Sequence, residues 1–384
     1  MGTTTVRGGS CVRCHAVSER LNWTDGERDL QCRVCGHVGV GSLIATVTEL
    51  AEVGMPIVRC PSCGSLQMTA DPMQLTTTDW DVNQYVENGA GLGAILDTIL
   101  LADTGRVRRF LDVGCNYGFS VDMGRTLFGW EAMGVEPSLA GRRGAAELGC
   151  DIRPGYLTLD SEIGPPFDLV MASEVLEHVP EPLPFLAVLH ARLAAEGMLV
   201  LTTPAAEVVT PEHPEQLAIV AISPGFHVFL ATAHGLSALL ERAGFVDVHV
   251  ERRGGTLHAL CRRSSSPARR GRRPRGGVRE GRDVLLDRYL AHRLAAAPDD
   301  SVLAVGLATR ALREFAARGD WARVASVAPA VIQAFLGHHR LDLTDPAKAA
   351  LQLAADPACT SFALGGAAYS FGMHALLAQD DAPA

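Results

Sequence analysis

The sequence predicts an α/β protein: a doubly wound, mostly parallel sheet, preceded by a small cysteine-bearing module and followed by an all-helical region. Strand and helix patterns alternate from residue 107 to 262. Six of the ten cysteines form three C-x-x-C pairs, all before residue 64. From residue 283 onward only helical patterning remains. These observations divide the 384 residues into a module at 1–79, a central domain at 80–262, a linker at 263–282 and helices at 283–384.

Composition sets the class. Nearly half the residues are apolar, as in a packed globular chain, and no apolar run nears the ~18–20 residues that span a bilayer. The start "MGTTTVRGGS" carries no apolar signal core, so the expected location is cytoplasmic, with no membrane partner. The net charge of −9 is uneven: residues 262–282 hold nine Arg and one Glu, or +8, which leaves −17 on the rest. An acidic body argues against a nucleic-acid partner, which would favour a basic face. The Arg-, Ser-, Pro- and Gly-rich stretch reads as a solvated tether.

In the N-terminal module, Cys11/Cys14, Cys32/Cys35 and Cys60/Cys63 supply three knuckles. Two knuckles joined by a loop long enough to fold back make a tetrahedral Cys₄ zinc site, closed and therefore structural. Cys32/Cys35 can pair with either of the others; the spare pair could recruit His15 or His37. Next, "VENGAGLGAILDTILLADTG" reads as a helix start, since no strand precedes its glycines.

Buried parallel strands are expected at Phe110–Val113, Glu131–Val135, Phe167–Ala172 and Met198–Thr202, where apolar residues run without alternation. Helices are expected at Phe119–Phe128, Ser138–Leu148 and Pro182–Ala194. "HGLSALLERAGF" continues as a helix, and "VDVHVER" with "TLHALCRR" as a hairpin forming an antiparallel edge.

The first strand ends in "LDVGCNYG". Gly114 and Gly118 let the turn pass close to a ligand, and Glu136 closes the next strand, where a carboxylate can take both hydroxyls of a ribose. A dinucleotide loop would read G-x-G-x-x-G. Here Asp112 stands in the turn; it would repel pyrophosphate and suits a ligand bearing an ammonium and a sulfonium. The cofactor implied is S-adenosylmethionine.

With "GVEPS", "FDLVMASEVLEHVPEP", "LAAEGMLVLTTP" and "HGLSALLERAGF" in order, the chain resembles the class I S-adenosylmethionine-dependent methyltransferases, which have a Rossmann-like sheet. The resemblance implies that Asp112, Gly114, Cys115, Asn116 and Gly118 surround the methionine moiety. It places Glu136 and Pro137 on the ribose, and Ser173 and Glu174 beside the cofactor. The family's acidic adenine contact is missing, and "RPGYLTL" offers Tyr156 and Leu157 instead. Asn116 stands where glycine is commoner, a variant shared with relatives that methylate sugars and natural products.

"CRVCG" with "CPSCG" resembles the zinc module of sugar C-methyltransferases, which favours Cys32/Cys35 with Cys60/Cys63. Those enzymes have a stretch like "EHxxYFS" with a catalytic His, matched here by His227, though Phe226 and Phe229 replace its polar neighbours. His178 of "EVLEH" is usual in the wider family and is the second catalytic candidate. After "ERRGGTLHAL" the sugar enzymes continue into another α/β domain, whereas this chain turns helical. The expected function is methylation of a small-molecule acceptor, a sugar or secondary metabolite, at carbon or oxygen, in natural-product biosynthesis. A homodimer is compatible with it. The alternatives are an RNA methyltransferase gripping its substrate through the zinc module, or a cofactor-binding protein with another role.

Overall fold

The computed structural model describes residues 20–48, 54–68, 77–102, 105–264, 280–355 and 361–380. Cys11, Cys14, His15 and most of the Arg-rich stretch lie outside the described residues.

In chain order the elements begin with β1 (Arg20–Gln31), β2 (Val38–Thr48), β3 (Met55–Arg59), β4 (Leu66–Met68), α1 (Asp79–Glu87) and α2 (Leu92–Ala102). Next are β5 (Arg109–Val113), α3 (Phe119–Phe128), β6 (Glu131–Glu136), α4 (Leu139–Leu148), β7 (Asp151–Pro154) and β8 (Phe167–Ser173). There follow α5 (Pro182–Arg192), β9 (Leu193–Pro204), α6 (Glu215–Ile222), β10 (Phe229–Leu230), α7 (Ala233–Arg242), β11 (Val246–Arg253) and β12 (Thr256–Arg262). The chain closes with α8 (Arg282–Ala296), α9 (Val302–Ala317), α10 (Trp321–Ala334), α11 (Pro346–Ala355) and α12 (Leu364–Asp380).

Two compact units emerge. The first comprises residues up to 76, 98–121 and 130–277. Its main sheet has the order β11-β12-β9-β8-β5-β6-β7. β5 through β9 run parallel, and β5 sits where the strand order reverses. That reversal opens a crevice at the strands' carboxyl ends, the ligand position of doubly wound folds. The hairpin forms the antiparallel edge, as expected. Its second strand, β12, is the antiparallel one and lies inside, against β9, while β11 forms the rim. Burial explains the order: Leu257, Ala259 and Cys261 of β12 are buried, whereas β11 buries nothing fully. β9 also begins five residues before the expected Met198, because Leu193 already pairs with Phe167 ahead of an irregularity in the ladder.

The same unit holds a smaller antiparallel sheet, β1-β2-β3-β4-β10. Its first four strands precede the main sheet, and its fifth, β10, comes from far down the chain: Phe229 and Leu230 pair with Gln67 and Leu66. The apolar side chains of β4 and β10 are buried, so this pairing closes a core and not merely a ladder.

The second unit comprises residues 77–97, 122–129 and 278 onward. Thr78 caps α1 in a reciprocal capping box with Asp81, and the helix ends where Gly89, Ala90 and Gly91 all adopt positive φ. As expected, the glycines stand at a helix start, that of α2, in the turn that separates it from α1. α9 is the hub, its residues from Val302 to Ala308 buried on every side. Two buried carboxylates tie the unit. Glu87 accepts from the Phe362 amide at 2.8 Å, from His339 Nε2 at 3.1 Å and from the Ser361 hydroxyl. Asp122 accepts from both arms of the Arg293 guanidinium and from the Tyr289 hydroxyl at 2.7 Å. Arg293→Ala would leave the buried Asp122 carboxylate to the Tyr289 hydroxyl and to the partly exposed Arg125 guanidinium, 3.1 Å away, so this unit should lose stability in urea unfolding, by at most about 3–5 kcal/mol. A loss under ~1 kcal/mol would show that Asp122 finds other partners.

Candidate functional site

β5 delivers Asp112 to the crevice and ends at Val113, where the chain turns through Gly114 at φ 75°. A Cβ on Gly114 would lie 2.5 Å from Val175 Cγ2, so the turn and the segment after β8 meet here only because the residue is glycine. Asn116, at φ 51°, adopts the left-handed conformation that asparagine tolerates, and Gly118 follows at φ 86° before α3. The Asn116 amide donates to Glu136 Oε2 at 3.0 Å, and the Ser138 amide to Glu136 Oε1 at 2.9 Å. The carboxylate at the end of β6 is thus aimed by the turn on one side and the start of α4 on the other.

Asp112 is 3 % exposed and accepts from the Ser120 hydroxyl. Burial pushes its carboxyl up to about 7, with the Glu136 charge adding and the Ser120 bond opposing. Asn116 Oδ1 is buried without a partner among the described residues. An acceptor-rich turn with an orphan amide oxygen fits a cationic ligand end, such as the ammonium of S-adenosylmethionine. Cys115 is buried, and burial raises its thiol well above the usual range, so it stays protonated. Pro137 is half-buried beside Glu136, Leu157 is buried, and Tyr156 is exposed in the segment after β7.

Along β8, the Ser173 and Thr202 hydroxyls bond each other at 2.6 Å, and the Glu174 amide donates to the Thr202 carbonyl at 2.9 Å. The Glu174 side chain is exposed. A single turn over Leu176–His178 then brings Glu177 and His178 to His227, in the loop before β10. The two imidazoles stand edge to face, centroids 4.7 Å apart. Burial holds the His178 imidazolium below its ordinary range. Burial, then the neighbouring His178, take His227 down to about 4. Both rings are neutral at physiological pH.

Glu177 is the residue that sequence reasoning passed over. It is fully buried, and burial, followed by the Glu174 charge, raises its carboxyl well above the usual range. Thr203 donates to its Oε2 at 2.9 Å. The available signal was an acid inside the apolar stretch "VLEHV", whose position toward the core only the tertiary fold reveals.

The cysteines form a separate cluster. Cys32 and Cys63 have Sγ atoms 3.6 Å apart, as do Cys35 and Cys60. Four thiolates at ~2.3 Å from one zinc ion lie about 3.8 Å from each other, so the spacing fits. The knuckles are near copies: Gly36 and Gly64, both at positive φ, return their amides to the Cys32 and Cys60 carbonyls at 2.8 and 2.9 Å. A hydrogen bond from Cys32, against the effect of burial, brings Cys63 down to about 4. His37 joins no metal-ligating cluster among the described residues. Both knuckles meet α7: Thr232 Oγ1, at its N-cap, donates to the Cys63 carbonyl of the second at 2.7 Å, and Arg242 donates to the Val34 carbonyl of the first at 2.8 Å.

A family model described as a methyltransferase domain matches residues 88–250. No curated protein matches the chain. Among solved structures it is similar to an O-methyltransferase family protein from Burkholderia thailandensis, at 17% identity and TM-score 0.40, over 49% of this chain and 61% of that one. It is similar to PigF, solved with S-adenosylhomocysteine, at 17% and 0.40, over 48% and 58%. Human N-acetylserotonin methyltransferase, solved with S-adenosylmethionine, gives 15% and 0.39, over 49% and 57%. The chain spans less than two thirds of the length of each. No helix among the described residues is long and apolar enough to cross a membrane.

Proposed function

We propose, from the methyltransferase-domain model that matches residues 88–250, that the protein transfers a methyl group from S-adenosylmethionine to a small-molecule acceptor. A sugar or secondary-metabolite scaffold, methylated at oxygen or carbon, is the class proposed, with one structural zinc in the Cys32/Cys35/Cys60/Cys63 cluster. The observation that carries this reading is the juxtaposition at the end of β5. The turn after β5, which carries the orphan Asn116 oxygen between the carboxylates of Asp112 and Glu136, meets at Gly114 the segment that leads from Val175 to Glu177 and His178.

The cofactor supplies an electrophilic methyl carbon on a sulfonium. What the chain does is hold and orient. Asp112 and Asn116 Oδ1 would take the ammonium end, Glu136 the ribose hydroxyls, with Ser173 and Glu174 alongside and Leu157 and Tyr156 toward the adenine. His178 and His227 present lone pairs on the acceptor side, where the nucleophile is prepared.

The test is incubation with S-adenosylmethionine and a panel of hydroxylated and sugar acceptors, read as a mass gain of one methyl group. Transfer to RNA alone, with salt-dependent RNA binding, would overturn the small-molecule reading. His227→Asn should lower single-turnover rates by about 100-fold or more with cofactor affinity unchanged, as expected for a group that prepares the acceptor. Rates near wild type would make His227 a packing residue.

A further inference from the structure

The cluster of Glu177, His178 and His227 has a donor arrangement that binding a cofactor does not require. His178 Nδ1 bonds the Phe226 carbonyl at 3.1 Å, and His227 Nδ1 bonds the Ala221 carbonyl at 2.7 Å. A carbonyl only accepts, so both Nδ1 atoms carry the proton and both Nε2 atoms carry free lone pairs. Each Nε2 lies 3.9 Å from Glu177 Oε1, beyond hydrogen-bond reach. Oε1 itself is buried and has no hydrogen-bond partner among the described residues. Two imidazole nitrogens and an orphan carboxylate oxygen thus face one another, all within 4.8 Å.

We propose that Glu177, His178 and His227 bind a divalent transition-metal ion, distinct from the ion of the cysteine cluster. The donor set is two nitrogens and one oxygen, which suits zinc, cobalt, nickel or iron(II). Both histidines are already fixed through the far nitrogen by a backbone carbonyl, the usual outer-shell anchor of a ligating imidazole. Bond lengths of about 2.0–2.2 Å bring such donors to roughly 3.0–3.5 Å from one another, so each Glu177–imidazole distance of 3.9 Å needs to close by roughly half an ångström. Only His178 is partly exposed, with 35 % of its side chain accessible, so it marks the route of access. The cysteine cluster would close around its ion completely, whereas three protein donors leave a position open.

This inference rests on the methyltransferase reading for its role, and it narrows the acceptor to one carrying a hydroxyl. Coordination of that oxygen acidifies it, and its proton passes to bulk water. The oxygen lone pair then forms the bond to the methyl carbon, and the electrons of the broken carbon–sulfur bond stay on sulfur. The third metal-ligating group, Glu87, His338 and His339, does not compete, because hydrogen bonds from His339, Ser361 and Phe362 already engage Glu87.

The test uses the tag-free full chain with zinc in its cysteine site, stripped of weakly held metal by mild chelation and titrated with Co²⁺ without cofactor. One additional equivalent should bind, with a weak visible band and no thiolate-to-metal charge transfer. His178→Gln and Glu177→Gln should each cut Co²⁺ affinity by more than about 100-fold, exceeding what loss of an outer-shell partner costs. Circular dichroism and cysteine-bound zinc should stay unchanged. His178 is at the surface, so that variant is informative even if Glu177→Gln misfolds. No additional equivalent, or unchanged affinity in His178→Gln, would overturn the site and leave a cluster that holds a proton. Methyl transfer by protein shown to bind no second metal defeats this inference alone. Metal binding without transfer to any acceptor defeats the functional reading alone.

Discussion

Cys32→Ser should abolish the proposed structural zinc site and melt the N-terminal sheet. Each of the four sulfurs is the end of a knuckle whose backbone is already closed, and three of the four cysteines are buried. Gln67 adds to the order: its Nε2 donates to Cys32 Sγ at 3.7 Å and its Oε1 accepts from the Arg33 amide at 3.1 Å. Structural zinc of this kind supplies about 10–16 kcal/mol of apparent binding free energy, most of what a small module has available for folding. Elemental analysis should fall by one zinc per chain, and the thermal transition of the first unit should broaden or disappear. Cys11→Ser should cost less, because four other cysteines already close a site. Folded, zinc-free wild-type protein would remove the metal from this account.

Asp112→Asn should make the cofactor-free protein more stable at pH 8 while weakening cofactor binding. The sign follows from burial. In the unfolded chain the Asp112 carboxyl loses its proton near its ordinary 3.8, but in the fold it keeps the proton up to about 7. The native state therefore binds more protons between these values, and stability falls as pH rises through that window. A displacement of this size costs up to about 4 kcal/mol above pH 7. The amide has the same shape, can still accept from Ser120, and carries no charge to bury. The difference in melting temperature between variant and wild type should be positive at pH 8 and vanish toward pH 4. In calorimetry the variant should bind S-adenosylmethionine at least about tenfold more weakly, and wild-type affinity should climb through pH 7 as the carboxylate forms. A variant less stable at pH 8 would mean that Asp112 serves mainly as a structural partner of Ser120.

The strands of the main sheet were legible because strands buried on both faces appear as unbroken apolar runs: Phe110, Glu131 and Phe167 lie at or within one residue of the observed starts. β1 was not. "RLNWTDGERDLQ" is mostly exposed, and its Asp-Gly looks like a turn. It is held extended by β2, with an irregularity between Trp23 and Gly26 that absorbs the glycine. The hairpin order was half legible, since alternate burial in "TLHALCR" belongs to an inner strand, but adjacency in sequence says nothing of which strand lies outside. Motif positions located the glycine turn after β5, while the orphan oxygens of Asn116 and Glu177 arise only from tertiary enclosure. The cysteine pairing was undecided by spacing; among the described residues it is the antiparallel sheet that brings Cys32 and Cys35 to Cys60 and Cys63.

The β4–β10 pairing has a consequence for modularity. The Met68 amide donates to the Val228 carbonyl at 3.1 Å, and the Val228 amide to the Glu177 carbonyl at 2.8 Å. The residue after His227 is thus stitched on one side to the cysteine module and on the other to the cluster of Glu177, His178 and His227. Leu66 and Met68 are completely covered in that arrangement. A graft that replaced the 223–232 loop to change acceptor preference would uncover an apolar strand edge, the kind of surface that recruits other chains. Module and loop therefore form one exchangeable cassette, and swapping either alone would trade altered selectivity for aggregation.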